Sequence, residues 1–373
     1  MSRDEDDKAH AIRAACEAED FDALAELACS PGGLLDDGLR RTAWPILLGC
    51  KEEDEEGRHA WEHLPAHRDE AQVQLDVDRA FVYYPSNEPP DAIDARKRDL
   101  SALITAVLRS HPLLHYFQGY HDIVQVFLLV LGPPSAPATS ARAVQAVTRL
   151  SLLRIRDFML PTLSGALAQL HLLPSILASA DPALYRHLSG TEPFFALAAT
   201  LTLYAHDIQS YSSIARLFDF LLATEAATPL YLYVAITLSR KPELLALGPD
   251  EPEMLHFTLS KLPQPLDLEG LIASARGLLA TYPPDKLPDR AWAKVSSASA
   301  LKTTRPPALV RQQGLKQGEA WFHRQASEIR WQDATKRMAL RSRQLALRYR
   351  RPALATSFAV AAAVLAFWVG AVI

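Results

Sequence analysis

Cysteine is scarce in this chain. Cys16, Cys29 and Cys50 are the only three, all near the N-terminus, and none forms a CxxC pair or sits at zinc-like spacing from a histidine. A disulfide framework and a structural zinc site are thereby excluded, and the thiols suit a reducing compartment. Basic charge is not in excess either: 39 Lys and Arg against 43 Asp and Glu leave a formal net charge of −4, the wrong balance for a protein that displaces counterions from nucleic acid. No glycine-rich phosphate loop, GxSxG or HExxH occurs, so nucleotide binding, serine hydrolysis and zinc proteolysis have no local signature. The first residues, MSRDEDDKAHAIRA, lack the apolar stretch of a signal peptide, and the bulk of the chain is expected in the cytosol.

What the chain has is helical periodicity. With 49% hydrophobic and 22% charged residues its 373 residues suffice for a sizeable core. Apolar residues recur every three or four positions with few alternating runs, which predicts an all-α fold of many helices. Leu100, Leu103, Ile104, Val107 and Leu108 mark one apolar face, and residues 120–131, YHDIVQVFLLVL, are apolar nearly all round and predict a central core helix. Pro112 breaks the first of these helices, so HPLLHYFQG reads as a short connection and Gln118 falls on a loop or a helix start.

The expected organisation is an acidic helical extension over 1–37, a domain over 38–250 with a helical C-terminal part over 251–282, and a flexible Pro- and Ser-rich linker over 283–313. A basic amphipathic helix over 314–351 follows. From Pro352 to Ile373 the sequence carries 22 residues without a charge. At about 1.5 Å per residue such a helix reaches roughly 33 Å, enough for a bilayer core, so the segment reads as a single transmembrane tail anchor. Lys336, Arg337, Arg341, Arg343, Arg348, Arg350 and Arg351 precede it and hold that flank on the cytosolic side.

Two His-Asp pairs look like acid/base partners but are given little weight. His121 and Asp122 are helix neighbours, which point about 100° apart, and His206-Asp207 reads as a helix-end cap or a core hydrogen bond. More specific is a series of short motifs in order: GLRRTAWPILLG at 38–49, VQLDVDR with Val73, Asp76 and Arg79, Tyr116-x-Gln118-Gly119, and Arg216 to Asp219 with Phe218 between them. Over residues 38–250 this series resembles the TBC-domain Rab GTPase-activating proteins, whose signatures are IxxDxxR, YxQG and RxWD. Tyr120 stands where that family usually has Met, and Phe218 where it has Trp. The C-terminal run is similar to that of the family's tail-anchored subgroup in the endoplasmic reticulum.

The resemblance implies a GTPase activator that supplies catalytic residues in trans: Arg79 as arginine finger, Gln118 as glutamine finger replacing the Rab's own glutamine, and Asp76 orienting Arg79. It implies a GTP-form Rab as partner, the Rab of ER-to-Golgi vesicle traffic, and location in the endoplasmic reticulum or early Golgi membrane. No cofactor is expected on this chain, since Mg²⁺ and GTP are carried by the Rab, and no nucleic acid is expected as partner. Tyr116 and Gly119 belong to the binding set with Arg216 and Asp219, the last two open between Rab contact and fold support; Arg40 and Trp44 read as structural. The chemistry suits the residues: a guanidinium is permanently charged and matches phosphate oxygens with a planar fork, and a glutamine amide both donates and accepts, so it can hold an attacking water. Two alternatives stay open: an inactive Rab-binding module of the same fold, and a helical membrane tether without a GTPase partner.

Overall fold

In the computed structural model the described residues are 3–51, 61–86, 88–132, 141–332, 334–335, 337–338 and 340–344. Their regular structure is helical, with no strand among them. The chain divides into two units, Met1–Gln325 and Ala326–Ile373.

The first unit opens with α1 (Arg3–Glu17), α2 (Phe21–Cys29) and α3 (Asp37–Leu48). Each boundary has a local cause. The Asp20 side chain accepts the Ala23 amide at the start of α2, the Asp36 side chain accepts the Leu39 amide at the start of α3, and Gly49 closes α3 in the left-handed conformation at φ 71°. The expected N-terminal extension is therefore helical, and Ile12 and Leu24 are fully buried. Next come α4 (Glu70–Val77), α5 (Pro90–Ser110), α6 (Tyr120–Leu131) and α7 (Ala141–Arg149). Proline occupies the first turn of α5, where its missing N–H costs nothing. The five apolar residues expected on one face of α5 are all at 0% exposure, and α6 is buried nearly all round.

The core centres on Trp44 of α3, Phe127 of α6 and Phe218 of the Tyr211–Ala223 helix, whose rings lie 5.2 to 5.9 Å apart. Beside them Asp219, completely buried, accepts Arg40 Nε at 3.0 Å, Trp44 Nε1 at 2.8 Å and the Leu34 amide at 2.9 Å. A charge removed from water needs such partners.

The stretch 283–313 is not a flexible linker. Ala291, Val295, Ala298, Leu301 and Val310 are buried there, the buried Arg156 donates to the Ala298 carbonyl, Asp157 accepts the Ala300 amide at 3.0 Å, and Arg149 donates to the carbonyls of Val310 and Gln313. The stretch forms only short helical segments, among them Ala291–Lys294, Ala300–Thr303 and Pro307–Gln312, which distant side chains hold in place, and this is why its Pro- and Ser-rich composition read as loop. A helix starts at residue 315 and closes the first unit. In the second unit the described residues between 326 and 344 are helical. Among the described residues no helix is long and apolar enough to cross a membrane; the expected span at 352–373 lies outside them.

Candidate functional site

The site is built where α4 meets the connection from α5 to α6. The two helices are tied by Arg109, which donates twice to Glu70 at 2.6 and 2.9 Å. The residues just before α4 hold the connection: Arg68 donates to the carbonyls of Pro112 and Leu114 at 2.8 Å, and the Asp69 carboxylate accepts the Tyr116 amide at 3.0 Å. Tyr116 is thereby fixed against the face of α4 that carries Asp76.

Asp76 is 1% exposed. One of its oxygens accepts Arg79 Nη2 at 2.7 Å and Gln72 Nε2 at 3.1 Å; the other accepts the Tyr116 hydroxyl at 2.9 Å. Arg79 follows the end of α4, and its Nε donates to the Leu75 carbonyl at 3.2 Å. Its side chain is nevertheless 66% exposed, and Nη1 has no partner among the described residues. The arrangement is a guanidinium aimed outward from a buried carboxylate, with two of its N–H groups committed to its orientation and others open to an incoming anion.

Gln118 occupies the turn immediately before α6, as the break at Pro112 predicts, and is exposed between the buried Phe117 and Gly119. Its side chain has no hydrogen-bond partner among the described residues. Gly119 takes φ 102°, a left-handed value that a side chain would strain, and a Cβ there would stand 2.6 Å from Thr202 Cγ2. The turn thus favours glycine, and it sets the backbone from which Gln118 projects.

A polar chain extends from this centre that sequence reasoning missed. His121 Nδ1 lies 3.3 Å from the Tyr116 hydroxyl, and its Nε2 is 3.3 Å from Asp122. Asp122 in turn accepts His206 Nδ1 at 3.1 Å. His121 and Asp122, expected to point apart, converge because Asp122 is drawn between two imidazoles. His206 bonds Asp122 and not its neighbour Asp207. Burial pushes the His121 pKa down, whereas the hydrogen bond to Asp122 pulls that of His206 up. Burial also pushes the Tyr116 phenol well up, so it stays a donor to Asp76 at physiological pH. The only sequence signal for this chain was the presence of His-Asp pairs, and the correct partner of His206 is 84 residues away.

Arg216 and Asp219 are placed elsewhere. Asp219, with a side-chain exposure of 0%, cannot touch another protein. Arg216 donates to Glu269 at 2.6 Å and to the carbonyls of Ala28 and Ser30 at 3.0 Å, clamping the end of α2. Both support the fold, so their place in the binding set is withdrawn. Arg40 and Trp44, expected to be structural, are the partners of Asp219. Tyr120 bonds Ser151 at 2.6 Å in the interior, and Phe218 packs on Trp44.

Residues 37–245, more than half of the chain, match the Rab-GTPase-TBC domain. Among curated proteins the chain is similar to "TBC1 domain family member 20" of Bos taurus, with 34% identity over 290 residues, covering 77% of this chain and 70% of that protein. It is also similar to the Homo sapiens protein of the same name, with 34% identity over 76% of this chain and 69% of that one. A third relative is "GTPase-activating protein gyp10" of Schizosaccharomyces pombe, 31% identical over 79% of this chain and 78% of that protein. Among solved structures, the Ypt/Rab-GAP domain of Gyp1p shares the fold: the TM-score is 0.58 at 16% identity, over 70% of this chain and 94% of that one.

Proposed function

The chain belongs to the Rab-GTPase-TBC domain family and is a Rab GTPase-activating protein, and from that premise we propose that Arg79 and Gln118 are its catalytic fingers. GTP hydrolysis needs an oriented water and neutralisation of charge spreading over the γ-phosphate. Arg79 meets the second need with a permanent charge presented to solvent, and Gln118 meets the first with an unengaged amide on a turn of fixed direction. Asp76 orients Arg79 and limits the rotamer freedom lost on binding. The Rab brings the nucleotide and Mg²⁺, and this chain adds no cofactor.

The observation that carries this reading is the buried carboxylate of Asp76, bonded at once to the exposed Arg79 and to Tyr116, two residues before the exposed Gln118. A surface ion pair of no consequence would not need a buried anion shared between the two segments. The test is single-turnover GTP hydrolysis by a panel of purified Rabs with the full chain in detergent. An arginine finger in trans is worth about 10³ to 10⁵ in rate, so Arg79→Ala and Arg79→Lys should both remove most of the acceleration, as should Gln118→Ala. Acceleration that survives Arg79→Ala would refute the assignment.

The membrane reading rests on sequence. The uncharged run 352–373 behind a basic flank supports a tail anchor with the catalytic domain in the cytosol, and resemblance to the tail-anchored subgroup supports the endoplasmic reticulum or early Golgi and the Rab of ER-to-Golgi traffic. A glycosylation acceptor appended after Ile373 should be modified in microsomes; an unmodified, carbonate-extractable chain would refute the anchor.

A further inference from the structure

Large apolar side chains are exposed at both flanks of Arg79. Leu75, one helical turn before it, is 58% exposed, and Val82 and Tyr83, three and four residues after it, are 73% and 48% exposed. Single exposed apolar residues are ordinary. Three within four positions of one cation are a local concentration.

The loop that presents two of them is built to do so. Phe81 and Tyr84, on either side of Val82-Tyr83, are 7% and 4% exposed. Phe81 adopts φ 62°, an unfavourable left-handed conformation for a bulky residue. It is held there by Gln125 of α6, whose Oε1 accepts the Phe81 amide at 3.0 Å and whose Nε2 donates to the Tyr84 carbonyl at 3.4 Å. The Tyr84 hydroxyl donates to the Ala205 carbonyl at 3.3 Å. One buried amide side chain therefore clamps both ends of the loop and leaves Val82 and Tyr83 no inward place. That amide belongs to α6, the helix that Gln118 immediately precedes.

We propose that Leu75, Val82 and Tyr83 form an apolar contact collar that seats against the GTP-loaded Rab beside its nucleotide cleft. This rests on the reading of Arg79 as a finger, because the commitment to that partner comes from continuity with it: whatever surface receives the guanidinium must lie against side chains one turn to either side. The collar supplies contact area to a partner whose charged groups alone would bind weakly in salt.

The test separates affinity from rate. The full chain in detergent is compared with Val82→Ser/Tyr83→Ser and with Arg79→Ala, measuring both affinity for Rabs loaded with a non-hydrolysable GTP analogue and single-turnover kcat and KM. The collar variant should raise Kd and KM by about ten- to a hundredfold, as for contact hot spots, with kcat at saturation and the melting temperature unchanged; Leu75→Ser should act in the same direction. Unchanged Kd in the collar variant overturns the proposal, whether or not it loses vesicle binding or self-association instead. If Arg79→Ala keeps full kcat while the collar variant loses affinity, the finger reading fails and the collar stands; if no GTP-loaded Rab binds the wild-type chain, both fail.

Discussion

Tyr116 donates its hydroxyl hydrogen to Asp76 at 2.9 Å, a bond that links the carboxylate holding Arg79 to the segment of Gln118. Asp76 answers to both sides, since its other oxygen receives Arg79 at 2.7 Å. Tyr116→Phe keeps the ring and removes the bond to Asp76 together with the 3.3 Å contact to His121 Nδ1. Hydrogen bonds to charged groups contribute roughly 1.5 to 3 kcal/mol, and an upper share of that reaching the transition state would lower kcat by about ten- to a hundredfold. KM for the Rab should change little, because the hydroxyl is turned inward onto the buried Asp76. Unaltered kcat in a folded Tyr116→Phe chain would show that the link does not position the fingers.

Gly119→Ala addresses the turn that carries Gln118. A methyl group there meets Thr202 Cγ2 at 2.6 Å and sits on a backbone at φ 102°. Such strain costs on the order of 1–3 kcal/mol, and a shift of the turn that relieves it moves Gln118. Both the melting temperature and kcat should fall. Thr202→Ser, which removes the opposing methyl group, should restore part of the stability in the double variant but not the rate, since the φ penalty remains. Full activity in Gly119→Ala would dissociate the turn from catalysis.

The helices and the placement of Arg79 and Gln118 were readable because their signals are local: a 3.6-residue period, a proline break before Gln118, and carboxylate and guanidinium three residues apart. What could not be read depends on partners far away in sequence. Asp219 owes its role to Arg40 and Trp44, 179 and 175 residues earlier, so as a spacing it was equally compatible with a surface contact. The stretch 283–313 resembles a linker because prolines and serines carry no periodicity, yet Asp157 and Arg156 supply the bonds that order it. The loop Phe81–Tyr84 was likewise opaque, since only Gln125, 44 residues on, explains its shape.

Asp219→Ala isolates fold from function. It leaves the Arg40 guanidinium, 6% exposed, without its main counter-charge, and Trp44 Nε1 without an acceptor. Removing one partner of a buried pair costs about 3–5 kcal/mol. The midpoint of chemical denaturation should drop accordingly, while kcat of the fraction still folded should stay near wild type. A stable Asp219→Ala chain with lost activity would return Asp219 to the functional set.

The His121-Asp122-His206 chain predicts two opposite pH dependences of stability. His206 has its pKa raised above 6.5, first by the hydrogen bond to Asp122 and further by the charges of Asp122 and Asp207. The folded state then holds the proton more tightly than the unfolded chain, so the contribution of His206 is full below 6.5 and is lost as pH rises through the raised value. His121 has its pKa lowered by burial, a penalty that Asp122 and Asp76 oppose and that His206 and Arg79 reinforce. Here the unfolded chain takes up the proton first, so acidification through 6.5 removes stability. Melting temperatures of the full chain in detergent at about pH 8 and about pH 5.5 separate the two. His206→Gln should lose more stability relative to wild type at the lower pH, and His121→Gln should lose less there than at the higher pH. If both variants track wild type in parallel across the range, the imidazoles are not coupled to Asp122 as the distances of 3.3 and 3.1 Å require.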